Sequence, residues 1–296
     1  MKQKTKNQDR FAITEEEIER ELEKLYEKEF KYNVTEYAKK YRIMKAMIGD
    51  RVTPTKKQEY KMFISAPFGN YIKHPNAISV TGTWTLHPRG NRFLSILKTL
   101  RWNRDLGGWT NKLGLPNPGI GVGLKKTFPN EVLSIAEIER NDFRKMERII
   151  PPHQSIELNL SCPNTGKNLP WDSASVFTKF SGTDREWCIA KLSPLTKPED
   201  LEFLIEKLGF RQLHFSNTLP CQYGGLSGRV LRPYTKRLIN DVRSVWGSDV
   251  VVIAGGGVSD FGAVYEYLNE GANHVAIGSV CFNWFKMRKL LKEKNV

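Results

Sequence analysis

From residue 60 onward the chain is a series of short apolar runs separated by helical or turn-rich stretches, and this alternation limits its fold more than any other feature. The runs cover 62–65, 78–81, 133–136, 156–160, 187–192, 212–216, 250–254 and 274–277. Helical stretches lie between several of them, among them 198–208, 231–246 and 261–269. Strands that alternate with helices pair in parallel. Eight of them close into a (β/α)8 TIM barrel with its active site at the carboxyl ends of the strands. The expectation is therefore an α/β protein: a barrel over 61–296, preceded by a helical extension and linker over 1–60. In that extension Thr14-Glu15-Glu16-Glu17 reads as a capping-box start. Ile18, Leu22, Leu25 and Tyr26 then share one helical face, and Val34, Tyr37, Ala38, Tyr41 and Met44 share another. Two such amphipathic helices pack against the main domain or a partner subunit, so a homodimer is one expectation.

Residues 155–164 read Ser-Ile-Glu-Leu-Asn-Leu-Ser-Cys-Pro-Asn. Ile156, Leu158 and Leu160 alternate as in a buried strand. Asn159, Cys162 and Asn164 then gather polar groups at its carboxyl end. A thiol there can exchange a proton once its thiolate is accessible. Carboxamides both donate and accept, which suits the edge of a flat polar heterocycle. The same residues would equally serve as a buried thiol and two turn asparagines.

With 296 residues, 40% of them hydrophobic, the chain can hold one large domain and a small appendage. No stretch approaches the ~18 consecutive apolar residues of a membrane helix, and residues 1–10 lack an apolar signal core. Cys162, Cys188, Cys221 and Cys281 show neither CxxC pairing nor ligand-like spacing with the histidines. Reduced thiols in a cytoplasmic protein, with no metal site, are the expectation. The formal net charge of +14 favours polyanions. Arg89, Arg92, Lys98, Arg101 and Arg104, interleaved with Phe93, Trp102 and Trp109, form a pattern compatible with a nucleic-acid strand. The plainer reading is a basic, solvated surface.

The segment from Asn159 to Asn164 resembles the catalytic segment of dihydroorotate dehydrogenases, flavin enzymes of pyrimidine synthesis. Further blocks follow in that family's order. Asn111-Lys112-Leu113-Gly114-Leu115-Pro116-Asn117 is similar to its substrate loop, and Ile189-Ala190-Lys191-Leu192-Ser193-Pro194 to its flavin-lysine strand. Phe215-Ser216-Asn217-Thr218 and Gly224-Gly225-Leu226-Ser227-Gly228 resemble its next loop. Ile253-Ala254-Gly255-Gly256-Gly257-Val258 and Val275-Ala276-Ile277-Gly278-Ser279 look like its two phosphate-holding turns.

The resemblance implies FMN as cofactor. Lys191 then meets the flavin ring, where its cation stabilises the reduced form. Gly256, Gly257, Gly278 and Ser279 hold the phosphate, with Ser227 and Gly228 adding donors and Asn159 also facing the cofactor. Turns after the seventh and eighth barrel strands are where such barrels bind phosphate, and glycine lets the backbone come close. Asn111, Asn159, Asn164, Asn217 and Thr218 bind a small-molecule pyrimidine, and Cys162 is the general base. A lysine flanked by Ala190 and Leu192 on a buried strand also needs a partner. The implied reaction oxidises dihydroorotate, or a related dihydropyrimidine, to orotate. No cysteine cluster marks an iron–sulfur centre, so electrons leave to a diffusible acceptor.

The chain departs from the family at one point. Asn70 or Gly82 stands where a substrate-side lysine is found, with Lys73 and His87 nearby but offset. That predicts weak orotate binding unless Lys73, His87 or an arginine between 89 and 104 takes the lysine's place. Cys162 matches the soluble branches, whereas Gly224 to Gly228 looks like the membrane-associated branch. Alternative readings are a reductase of dihydrouridine-synthase type acting on transfer RNA, and a non-catalytic flavin- or RNA-binding barrel.

Overall fold

The computed structural model describes residues 59–90, 97–160, 174–182 and 184–292. The two helices expected before residue 50, together with Arg92, Phe93, Cys162 and Asn164, lie outside the described residues. Among the described residues twelve strands run in chain order. They are β1 (Met62–Ile64), β2 (Ala77–Trp84), β3 (Arg101–Asn103), β4 (Gly108–Asn111), β5 (Val132–Ile135) and β6 (Ile156–Asn159). Then come β7 (Cys188–Leu192), β8 (Gln212–Phe215), β9 (Leu219–Cys221), β10 (Gly224–Gly228), β11 (Val251–Ala254) and β12 (His274–Ile277). Eight of them close a parallel barrel in the order β1-β12-β11-β8-β7-β6-β5-β2. These eight are the eight apolar runs of the sequence. The helices expected at 198–208, 231–246 and 261–269 are present as well, the first as Pro198–Glu202 continued by Phe203–Lys207.

Alternation along each strand sorts side chains to two faces. On β6 and β7, Ile156, Leu158, Ala190 and Leu192 join the large core shared with Phe143, Phe177, Leu204 and Leu238 of the surrounding helices. The opposite faces supply Phe63, Val80, Val132, Trp187, Ile189, Ile253 and Ala276, a second apolar cluster inside the barrel. Phe63 meets Trp187 edge-on at 5.0 Å, and His274 meets Trp187 edge-on at 5.5 Å. Toward the carboxyl ends the interior turns polar, at Ser134, Glu157, Asn159, Lys191 and His214, all buried. This polar layer rests on an apolar floor.

Two features depart from a regular barrel. The link from β1 to β2 contains only the short 3-10 turn Phe68–Asn70 in place of a helix. The helix Trp284–Lys292 reaches this region instead, and Asn76 Nδ2 donates to Leu291 O at 3.0 Å. The second feature is an antiparallel sheet in the order β3-β4-β10-β9, built from segments that read as loops in the sequence. Trp102 and Trp109 are cross-strand partners in it, with ring centroids 5.6 Å apart. Trp109 packs on Phe282 at 4.8 Å, and Phe282 on Phe68 at 5.0 Å. Phe282 follows β12 and Phe68 follows β1, so this chain of rings fixes the small sheet to the barrel's carboxyl rim.

Phe177 is buried between Phe143 and Phe210, at centroid distances of 5.4 and 6.3 Å. Phe177→Ala opens a cavity there and should lower the unfolding free energy by about 3–5 kcal/mol. Trp102→Ala removes a ring that is 52% exposed and should cost far less. Urea denaturation of the two variants checks the contrast.

Candidate functional site

The polar layer is assembled by register. Asn159 on β6 pairs with Lys191 on β7, and Lys191 pairs with His214 on β8. Ser134 on β5 pairs with Glu157 on β6. Glu157 has no solvent exposure, and its two carboxylate oxygens serve different partners. Oε1 accepts from Ser134 Oγ at 2.8 Å and lies 3.6 Å from Lys191 Nζ. Oε2 is 2.7 Å from His214 Nδ1. Burial works against the charge on Glu157, but Lys191 and His214 outweigh it and hold the carboxyl at about 2. For His214 the order is reversed. Burial and the Lys191 charge push its pKa down, against the opposing pull of Glu157. A neutral imidazole beside an ionised carboxylate must donate Nδ1–H to it.

The network continues toward the rim. Ser134 Oγ is 3.1 Å from Thr83 Oγ1, which accepts from Asn159 Nδ2 at 3.2 Å. Asn159 Oδ1 accepts from Asn217 Nδ2 at 2.8 Å, and Asn217 Oδ1 accepts from the Thr218 backbone N–H at 3.0 Å. The structure thus brings Asn159, Lys191, Asn217 and Thr218 to one end of the barrel. Asn111 belongs to the other sheet. It closes β4 opposite Gly225 on β10, and its Nδ2 donates to Gly225 O at 3.3 Å. Ser227 and Gly228 lie on β10 facing Trp109 and Gly108, and Ser227 Oγ donates to Trp109 O at 3.3 Å.

The glycine turn after β11 is braced from behind. Gly256 O accepts from Tyr267 Oη at 2.5 Å, and Gly257 O accepts from Arg232 Nε and Nη2 at 3.1 and 3.0 Å. Arg232 is 1% exposed and also donates Nη1 to Glu266 Oε2 at 3.1 Å. In a trans peptide the carbonyl and the next N–H point in opposite directions. The N–H groups of Gly257 and Val258 therefore turn away from these buried donors. The turn needs glycine, with φ of +85° at Gly256 and +73° at Gly257. A Cβ at Gly256 would press on Leu231 at 2.7 Å. After β12, Gly278 has nothing within 4 Å of where a Cβ would stand, and Ser279 opens the 3-10 turn Ser279–Phe282. Forward-facing N–H groups on one turn and open space beside the other suit a phosphate.

The departure at Asn70 and Gly82 has a structural cause. Asn70 Nδ2 donates to Gly82 O at 3.0 Å, and Gly82 N donates to Asn70 Oδ1 at 2.9 Å. Gly82 has φ +99°, and a Cβ there would lie 2.5 Å from Ser134 O, so the position admits no longer side chain. Lys73 is no substitute. It pairs with Glu131, just before β5, at the amino end of the barrel and opposite Lys191. Arg89 is held instead by the segment 111–117, with Nε donating to Gly114 O at 3.3 Å and its backbone bridged to Asn117.

Glu157 and His214 were not singled out in the sequence. The available signal was that Glu157 shares the phase of Asn159 on a strand adjoining a buried lysine. Among the described residues no metal-binding cluster occurs, and no helix is long and apolar enough to cross a membrane. Cys188, Cys221 and Cys281 are free, and burial pushes Cys188 and Cys281 up to about 12, so they stay thiols at neutral pH.

A family model described as dihydroorotate dehydrogenase matches residues 77–294. The catalytic subunit of dihydroorotate dehydrogenase B (NAD(+)) from Thermotoga maritima is 30% identical over 246 residues, covering 73% of this chain and 88% of that protein. Its counterpart from Latilactobacillus sakei is 30% identical over 209 residues, covering 60% of this chain and 67% of that protein. Among solved structures, DHODH from Eimeria tenella in complex with ferulenol superposes with a TM-score of 0.63. That match covers 88% of this chain and 89% of the other at 16% identity, a likeness of fold.

Buried His214 and half-buried His274 predict how stability depends on pH. Burial and Lys191 lower His214, and burial and Lys61 hold His274 at about 4. The unfolded chain, with histidines near ~6.5, binds more protons than the native protein below that pH. Stability should therefore fall as pH drops below about 6.5, with a further loss from Glu157 below its ordinary 4.5. Urea midpoints from pH 7.5 to 4.5 measure this. The decline should be shallower in His274→Asn, and a flat profile would contradict neutral burial of the two rings.

Proposed function

The chain belongs to the dihydroorotate dehydrogenase family, and on that premise we propose that it is an FMN-dependent oxidoreductase that oxidises dihydroorotate, or a closely related dihydropyrimidine. The observation that carries the reading is the pairing of Asn159 with Lys191 across β6 and β7, with Asn217 donating to Asn159 at the same end of the barrel. This sets a buried cation beside carboxamides that can donate and accept.

Lys191 and Asn159 would lie against the flavin ring. Gly256, Gly257, Gly278 and Ser279 would hold the phosphate, with Ser227 and Gly228 alongside. FMN is favoured over a dinucleotide because the turn after β11 backs directly onto buried Arg232 and Tyr267, which closes it behind the phosphate. The bound flavin supplies a hydride acceptor, and a fixed cation favours the charge of its reduced form.

The protein's own groups do the rest. Cys162 takes a proton from a ring carbon of the substrate, which requires part of it to be thiolate. Asn111, Asn159, Asn164, Asn217 and Thr218 bind the pyrimidine edge. An analogue lacking the matching N–H or C=O leaves a buried amide unpaired, which makes such a site selective. The electron acceptor is proposed to be diffusible.

The purified protein should be yellow and carry about one FMN per chain. A protein that stays colourless and takes up no FMN on reconstitution would defeat the reading. Cys162→Ala should keep the flavin and lose roughly 10²- to 10⁴-fold in substrate oxidation, with Cys162→Ser retaining a small fraction. Turnover equal to wild type in the alanine variant would remove Cys162 from the mechanism.

Lys73→Ala should leave the orotate dissociation constant, read from the flavin spectrum, unchanged, since Lys73 is paired with Glu131 at the far end of the barrel. A tenfold weakening, equivalent to ~1.4 kcal/mol, would show that Lys73 reaches the substrate after all.

A further inference from the structure

Resting on the flavin reading above, we propose that His214 is a positioning residue for Lys191. By holding one oxygen of Glu157 it governs how much of the lysine's charge is left to act on the flavin, and so sets the flavin's reduction potential. The register places His214 directly across from Lys191 on the neighbouring strand. Glu157 is shared between them, with Oε1 toward Lys191 and Ser134 and Oε2 toward His214. Glu157 and Lys191 are the charged groups that face the imidazole.

A donor on Oε2 draws carboxylate charge away from Oε1, the oxygen nearer the lysine. In a dry interior such a redistribution is felt strongly. A neutral imidazole does this without adding a second cation, and the lowering of the His214 pKa by burial and Lys191 agrees with a neutral ring. Space for the ring is provided from β11. A Cβ at Gly255 would stand 3.1 Å from His214 Nε2, so a side chain there would press on the ring. Without His214, Oε2 would be free to swing toward Lys191, which would neutralise that cation more fully.

The test is the midpoint potential of the bound flavin in wild type, His214→Leu and His214→Asn. His214→Leu should weaken the preference for reduced over oxidised FMN about tenfold, a fall of about 30 mV for a two-electron couple. His214→Asn, whose carboxamide can donate from the place of Nδ1, should recover most of that loss. An unmoved potential in a His214→Leu protein with full FMN occupancy would overturn the proposal. Equal losses in both variants would do the same, since the ring would then only fill space. If the leucine variant does not fold, nitrogen-15 NMR of the histidine rings in wild-type apoprotein decides the matter. The neutral Nδ1–H form of His214 at pH 7.5 is expected, and an Nε2–H form or an imidazolium would refute it. The NMR experiment needs no flavin. A failure here is therefore distinct from failure of the wild-type protein to bind FMN, which would count against the functional reading itself.

Discussion

A carboxylate with no solvent exposure, inside a closed ring of strands, has to be surrounded by donors and positive charge. Glu157 is that group. Bringing an ion out of water costs several kcal/mol even in a relaxed protein, and only well-placed partners repay it. The partners of Glu157 come from β5, β7 and β8, namely Ser134, Lys191 and His214. They meet only if strands far apart in sequence are held in one register. The same contacts orient Thr83 through Ser134, and through Thr83 fix Asn159 and Asn217. The barrel is thereby divided along its axis. Below lies an apolar plug of Phe63, Trp187 and Ile189, with their neighbours. Above it the interior is given over to polar groups arranged for chemistry.

The glycine turn after β11 depends on a different device. Backbone N–H groups are freed for a ligand by tying their neighbouring carbonyls down from behind. Arg232 does this at Gly257 and Tyr267 at Gly256, and Glu266 in turn neutralises Arg232. Arg232 opens the helix Arg232–Trp246, and Tyr267 and Glu266 belong to the next helix, Phe261–Asn269. The outer layer thus shapes the inner rim. The cap on that second helix follows ordinary rules, Asp260 Oδ1 accepting from Ala263 N at 3.0 Å.

Much of this was legible before any coordinates. All eight barrel strands announced themselves as apolar runs, because each is buried on both faces and carries little polar interruption. The four-stranded sheet did not. Its strands are only three to five residues long, and β10 is broken by Gly224, Gly225 and Gly228, so periodicity does not mark them. Lys191 was legible as a lysine needing a partner, but the partner was not, because strand phase becomes a direction only once the barrel closes. Gly82 could be read as a departure from the family, yet only the closeness of Ser134 O to where its Cβ would stand and the clasp of Asn70 explain why no lysine fits there. Cys162 and Asn164 stand on sequence alone.

The closure between β1 and β12 has a consequence for how the chain reaches this state. Lys61 N donates to His274 Nδ1, and Asn76 Nδ2 to Leu291 O, across separations of 213 and 215 residues. Contacts that distant carry the largest ordering cost and tend to form late. During synthesis β1 and β2 precede the other barrel strands, with no crossover helix of their own to cover them. The outer edge of β1 waits for β12, and the flank of the β1–β2 link for the helix Trp284–Lys292. An unpaired strand edge held open until β12 is made invites pairing with a neighbouring chain. In this protein the hazard of misassembly is therefore concentrated at the seam where the last-made strand meets the first.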